Sequence, residues 1–225
     1  MEEQQTPTWR LPQRVVAEGV GTALLLAAVV GSALMAERLS AGNTALALLA
    51  NSIATAGALI ALITTFIQIS GAHFNPVLTL AEAWNGNLPW RDVPGYLIMQ
   101  IVGGVAGVVV ANLMFGHSAV AIAQQQHAGS AQLLGEFVAT FGLIAVIMGT
   151  ARSKPERIPT VVGMYILAGY WFTASSAFAN PALSIARMAT NTVAGIRPDD
   201  VPGFLLAELA GGGAAVMFFR WLGKK

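Results

Sequence analysis

Six long apolar stretches, at 15–36, 45–69, 94–115, 132–150, 158–179 and 203–219, set the rhythm of the chain, and most charged residues fall between them. A bilayer core about 30 Å thick takes about 20 apolar residues of helix, so each stretch reaches or approaches spanning length. Inside them stand only Glu18, Glu136 and Glu208. A carboxylate is costly in lipid, so such residues are expected to face the bundle interior. Two further apolar segments, 73–84 and 180–190, are far too short to cross. Each predicts a re-entrant dip, and irregular backbone at membrane depth persists only where it is buried in protein or lines a watery cavity. The pattern therefore predicts an all-α membrane protein of six spans and two re-entrant half-helices around a pore or central site.

The second half repeats the first. Residues 70–81, SGAHFNPVLTLA, line up with 175–186, SSAFANPALSIA, and Glu18 opens one half as Glu136 opens the other. Three spans per half is an odd number, so repeats at about 14–115 and 132–219 lie inverted, with their shared site near the midplane. They form one channel domain over 1–225. Basic residues collect on cytoplasmic loops. With the N-terminus inside, Arg10, Arg14, Arg91, Arg152, Lys154, Arg157, Arg220, Lys224 and Lys225 share that side, against Arg38, Arg187 and Arg197 outside. Both termini are then cytoplasmic. The connector 116–131, with His117, His127 and three glutamines, reads as an exposed loop.

Composition narrows the chemistry. The 225 residues are 55% hydrophobic and 10% charged, where a soluble domain carries about 25% charged residues. A net charge of +1 gives no footprint for nucleic acid. The absence of cysteine excludes disulfides, thiolate metal sites and cysteine nucleophiles, and predicts resistance to mercurials. His117 and His127 have no neighbouring carboxylate, so they read as solvated rather than as a metal site. No G-x-S-x-G or H-E-x-x-H occurs, which argues against an intramembrane enzyme. The polar lead from Met1 to Gln13 opens into an apolar run of spanning length, unlike a secretory signal. Trp84, Trp90, Trp171 and Trp221 read as interfacial anchors.

The paired Asn-Pro steps carry the function. Proline is tolerated in the first helical turn and asparagine is a favoured cap just before it, so Asn75-Pro76 and Asn180-Pro181 each start a half-helix. Two such starts meeting at mid-membrane bring together partial positive charges, which repel cations. Asparagine amides fixed by the caps offer N–H donors to a passing oxygen. A neutral polar solute suits that centre.

Ser70 to Val77 and Ala179 to Ala182, with Ala17-Glu18-Gly19-Val20-Gly21-Thr22 in the first span, resemble the aquaporin and glycerol-facilitator (major intrinsic protein) superfamily over nearly the whole chain. The resemblance implies a right-handed six-helix bundle with one passive pore per subunit, a homotetramer in the inner membrane, and no cofactor. It implies Asn75, Pro76, Val77, Asn180, Pro181 and Ala182 as the pore motifs. Glu18 and Glu136 would accept hydrogen bonds from re-entrant backbone, while Glu208 has a weaker case. His73 would stand at the cytoplasmic pore mouth, as a pH gate or as a neutral packing residue.

Several positions depart from the family pattern. Val77 replaces the usual alanine and alters packing more than mechanism. Leu183 stands where water- and glycerol-conducting relatives carry the filter arginine, and Ser184 where glycerol facilitators carry aspartate. Arg187 lies one turn outward on the face of Leu183, either lining the outer vestibule or snorkelling to the interface. Spacing from the motifs puts Thr55 and Ala177 at the filter, together with Ala168 or Tyr170. This wide, arginine-less filter is similar to that of a bacterial branch associated with arsenic resistance, which implies passage of neutral arsenous acid or methylarsenicals besides water and polyols. An ordinary water or glycerol channel, or a poorly conducting scaffold of the same fold, is the alternative.

Overall fold

A computed structural model describes residues 9–223. Residues 1–8 and the pair Lys224 and Lys225, counted above on the cytoplasmic side, lie outside the described residues. Eight helices follow in order: α1 Leu11–Leu39, α2 Thr44–Ser70, α3 Pro76–Trp84, α4 Val93–Met114, α5 Ser130–Ala151, α6 Ile158–Phe172, α7 Pro181–Ala186 and α8 Val201–Leu222. α3 and α7 are the two half-helices. Five of the helices are long and apolar enough to cross a membrane, α4 and α8 with the short 3-10 turns before them.

Local chemistry sets the ends. Asn43 caps α2 by accepting from the Leu46 N–H at 3.0 Å. Gly71 ends that helix in the left-handed conformation, φ 91°, which a glycine adopts without a Cβ penalty. α4, α6 and α8 each carry proline in the first turn behind a 3-10 turn.

α6 corrects the expected span 158–179, because helix stops at Phe172 and the backbone from Thr173 to Asn180 is irregular. That stretch is apolar enough to extend a hydropathy window. Its N–H groups at Phe178 and Ala179 nevertheless turn to the Glu136 carboxylate instead of continuing a helical ladder. Within the dips 73–84 and 180–190, helix starts at each Asn-Pro step. Helix begins at Pro76 in one, and in the other it passes into a 3-10 turn, Arg187–Ala189.

Packing follows the repeat. α1 lies against α4 and α2, α5 against α8 and α6, and α2 against α6. The α1–α4 crossing is so close that a Cβ at Gly103 or Gly107 would collide with the carbonyls of Gly19 and Ala23. Gly211 stands in the same relation to the Phe137 carbonyl on α5. Small residues allow such approach where lipid gives helices no hydrophobic drive to associate. Val16, Val20 and Leu24 run up the outer face of α1 and remain exposed, as a lipid-facing stripe must.

Candidate functional site

Both asparagines adopt extended backbone just before their prolines, with φ −152° at Asn75 and −159° at Asn180. Each side-chain oxygen caps its own half-helix: Asn75 Oδ1 accepts from the Val77 N–H at 2.9 Å and Asn180 Oδ1 from the Ala182 N–H at 3.0 Å. Each amide nitrogen crosses to the other repeat. Asn75 Nδ2 donates to the Ala179 carbonyl at 2.7 Å, and Asn180 Nδ2 to the Phe74 carbonyl at 2.8 Å. The two half-helix starts are thereby tied together at the centre of the bundle. An amide has two hydrogens and each crossing bond uses one, so the second is free for the cavity that both asparagines line.

The segments leading to the caps are strained alike. Ala72, Phe74, Ala177 and Ala179 all take φ near +50°, a conformation that costs a non-glycine residue of order 1 kcal/mol or more. Buried glutamates hold them there. Glu18 accepts at Oε1 from the Ser70 hydroxyl at 2.6 Å and the His73 N–H at 2.9 Å, and at Oε2 from the Phe74 N–H at 2.7 Å and Gln100 Nε2 at 2.8 Å. Glu136 accepts from the N–H groups of Phe178 at 2.9 Å and Ala179 at 2.7 Å. Glu208, a weaker candidate from sequence, is fully buried and accepts from the Asn180 N–H at 3.2 Å and the Ser184 hydroxyl at 2.7 Å.

A cavity of about 270 Å³ runs past the caps, from Asn87 and Ile158 at one end to Thr55 and Arg187 at the other. Leu59, Ile63, Leu143 and Val162 form an apolar wall facing the two asparagines. Toward the Arg187 end, Thr55 Oγ1 lies 3.1 Å from Tyr170 Oη, with Ala177 and Leu183 on the same cavity. Of the two fifth-span positions, Tyr170 lines the cavity. Ala168 is exposed on the outside of α6 and is not a lining residue. His73 also lines the cavity, with Nδ1 3.1 Å from Thr79 Oγ1 and its ring on Tyr96, centroids 5.3 Å apart. Val77 packs against Gly212, the packing role expected for it.

Arg187 is 8% exposed, so it does not snorkel to the interface. Its guanidinium lies 3.6 Å above the Phe178 ring centroid and Nε donates to the Ala194 carbonyl. It lines the same cavity as Leu183. The connector is also not simply an exposed loop. Ala121 and Ala123 donate to the carbonyls of Ala189 and Met188 at 3.0 Å, and Ala123 is fully buried. The His127 ring packs on Phe178 and Phe204, at 5.4 and 6.0 Å, instead of standing in solvent. Burial and then the charge of Arg187 lower its pKa from the ordinary histidine value.

Sequence reading passed over Gln100, and a signal for it was available. Val93-Pro94-Gly95 leads into Gln100 as Val201-Pro202-Gly203 leads into Glu208. Both pairs mark where a third helix of each repeat reaches the buried acid.

Residues 5–219 match the family described as major intrinsic protein. The chain belongs to that family. Within it, the chain is 50% identical over 212 residues to aquaglyceroporin AqpS of Rhizobium meliloti (strain 1021), covering 94% of this chain and 91% of that one. It is 30% identical over 113 residues to the glycerol uptake facilitator protein of Bacillus subtilis (strain 168), covering 43% and 40%. The X-ray structure of the aquaglyceroporin from Plasmodium falciparum superposes with a TM-score of 0.76 at 18% identity, covering 93% of this chain and 96% of that one. That last likeness concerns the fold alone.

Proposed function

We propose that this member of the major intrinsic protein family is a passive channel for small uncharged solutes. In this reading water, polyols and neutral metalloid hydroxides such as arsenous acid, with their methylated forms, pass along the cavity. The observation that carries it is the crossed pair of asparagine bonds beside a continuous, largely apolar wall. A solute hydroxyl accepts from the free amide hydrogens there, while the wall holds nothing tightly enough to stop transit. The two positive half-helix ends oppose cations. The resemblance to an aquaglyceroporin at 50% identity supports a pore that admits more than water.

Thr55, Tyr170, Ala177 and Leu183 form the filter in this reading. Leu183 supplies a methyl surface where an arginine fork would otherwise present five donors. Arg187, one turn outward, forms the vestibule above it. Both termini lie on the cytoplasmic side of the inner membrane, supported by the bias of basic residues, and four copies assemble with one pore each.

Stopped-flow swelling of proteoliposomes in gradients of water, glycerol, arsenous acid and a methylarsenical tests the proposal. All four are expected to permeate; water alone would end the wider reading, and no flux at all would favour the scaffold. Leu183→Arg is expected to cut glycerol and arsenical flux at least about tenfold, the equivalent of about 1.4 kcal/mol, while water flux stays near wild type.

A further inference from the structure

The second repeat buries two acids where the first buries one: Glu136 matches Glu18, but Glu208 stands where the first repeat has Gln100. Gln100 Nε2 donates to Glu18 Oε2 at 2.8 Å and to Thr79 Oγ1 at 2.9 Å. The repeat-mate of Gln100 is Glu208 and that of Thr79 is Ser184, which now donates to Glu208 Oε1 at 2.7 Å. Glu208 Oε1 is satisfied by Ser184 and the Asn180 N–H. Its Oε2 is buried and has no partner among the described residues, and the Glu136 carboxylate lies on the same turn of backbone, since the two acids accept from the successive N–H groups of Phe178, Ala179 and Asn180. Ser175 Oγ, also buried and without a partner among the described residues, lies beside Glu136. Where the first repeat puts an N–H toward its glutamate, the second puts an oxygen.

Charge leads to the same place. Glu136 and Glu208 are each fully buried. The groups facing them are the Phe178 and Ala179 N–H groups on Glu136 and, from α7 and its cap, Ser184 and the Asn180 N–H on Glu208. Arg187 is a positive charge that acts on Glu136 through space, and it spends its Nε on the Ala194 carbonyl. One cation offsets one carboxylate. Two anions in contact at low dielectric are strongly unfavourable, and such pairs hold a proton between them.

We propose that Glu136 and Glu208 bind a single proton, carried on Glu208 Oε2 and donated to the Glu136 carboxylate. The proton takes the part that the Gln100 amide plays in the first repeat. It also holds the outer half-helix, because these two acids receive the N–H groups of Phe178, Ala179 and Asn180. Losing it at alkaline pH sets two anions against each other directly behind the Asn180 cap.

Glu208→Gln supplies the amide permanently and is the test. Wild-type protein in detergent is expected to show the infrared carbonyl stretch of a protonated carboxyl at neutral pH, and Glu208→Gln to lack it. A folded group that keeps a proton the unfolded chain gives up makes stability fall as pH rises. From about pH 6 to about pH 9 the wild-type melting temperature should therefore drop relative to Glu208→Gln, by roughly 2–5 °C per pH unit. Identical spectra, or parallel pH profiles, would overturn the proposal. Should Glu208→Gln fail to fold, the wild-type band must still move on labelling with carbon-13 glutamate, and a spectrum with no such band overturns it equally. Neither readout depends on which solute permeates.

Discussion

The two repeats place their asparagines in nearly the same way and support them differently. Asn75 and Asn180 share cap geometry, crossing bonds and the left-handed residues that precede them. Beneath, the first repeat closes its hydrogen bonding with one acid and one amide, the second with two acids. Facing surfaces are exchanged as well: Val77 fills the space over Gly212, whereas Ala182 and Ala186 approach Gly104. Inverted symmetry constrains the backbone at the pore, while the side chains behind it need only add up to the same shape and the same satisfied polar groups.

Substitution of the crossing glycines should break both repeats with the largest effect. Gly103→Leu and Gly211→Leu drive a side chain into a backbone carbonyl that cannot yield, beyond the about 1–3 kcal/mol of ordinary overpacking. Loss of the monodisperse folded peak in size-exclusion chromatography is expected for both. Gly213→Ala, with nothing within 4 Å of the added Cβ, should be neutral or stabilising by up to about 1 kcal/mol.

Removing the acids should separate the repeats. Glu18→Ala strands four donors, Ser70, His73, Phe74 and Gln100, at about 1–3 kcal/mol for each one left buried and unpaired. Glu136→Ala strands two backbone N–H groups and leaves Glu208 nearby. Thermal melting should show the first variant destabilised about twice as much; equal losses would mean that the supports are equivalent after all. Smaller effects come from the caps. Asn75→Ala and Asn180→Ala each lose a cap worth about 0.5–2 kcal/mol and the donor offered to the solute, so flux should fall much further than the melting temperature.

The smallest effect lies at the connector between the repeats. His127 has its pKa lowered by burial and by Arg187, so its neutral form contributes stability above about pH 6.5 that is lost as pH falls below that value. Asp200 accepts the His127 N–H at 2.8 Å and Arg197 Nη2 at 2.8 Å. Burial alone would raise its pKa, but these bonds hold it below the usual carboxylate value. Its contribution is present above about pH 3.9 and fades as pH drops through its folded value. Amide hydrogen exchange over 116–129 should quicken in two acid steps, and His127→Gln should remove the first.

The half-helices and the inverted plan were legible because Asn-Pro states its own local geometry and occurs in two matching frames. Glu18 and Glu136 were legible because a charge in an apolar run demands partners. The end of α6 was not. Ala174, Ser175, Ser176 and Ala177 are as apolar in an extended segment as in a helix, and only the acceptor on α5 decides between them. Arg187 was equally ambiguous, since one side chain can either line a vestibule or snorkel to the interface. Its choice depends on Phe178 and Ala194, which the chain order does not place beneath it. The fold-back of the connector rests on backbone pairing with 188–189 and on Asn112, Asn191 and Asp200, which bind its backbone from positions far apart in the chain.

The crossed asparagine bonds also impose an order on biosynthesis. Asn75 leaves the ribosome long before Ala179, the carbonyl that completes it. The early half must wait in the translocon with a donor unanswered, and the late segment acts as the latch that fastens both. A nascent chain halted between the two repeats is therefore expected to hold its first dip loosely, open to protease, until residues 174–182 arrive.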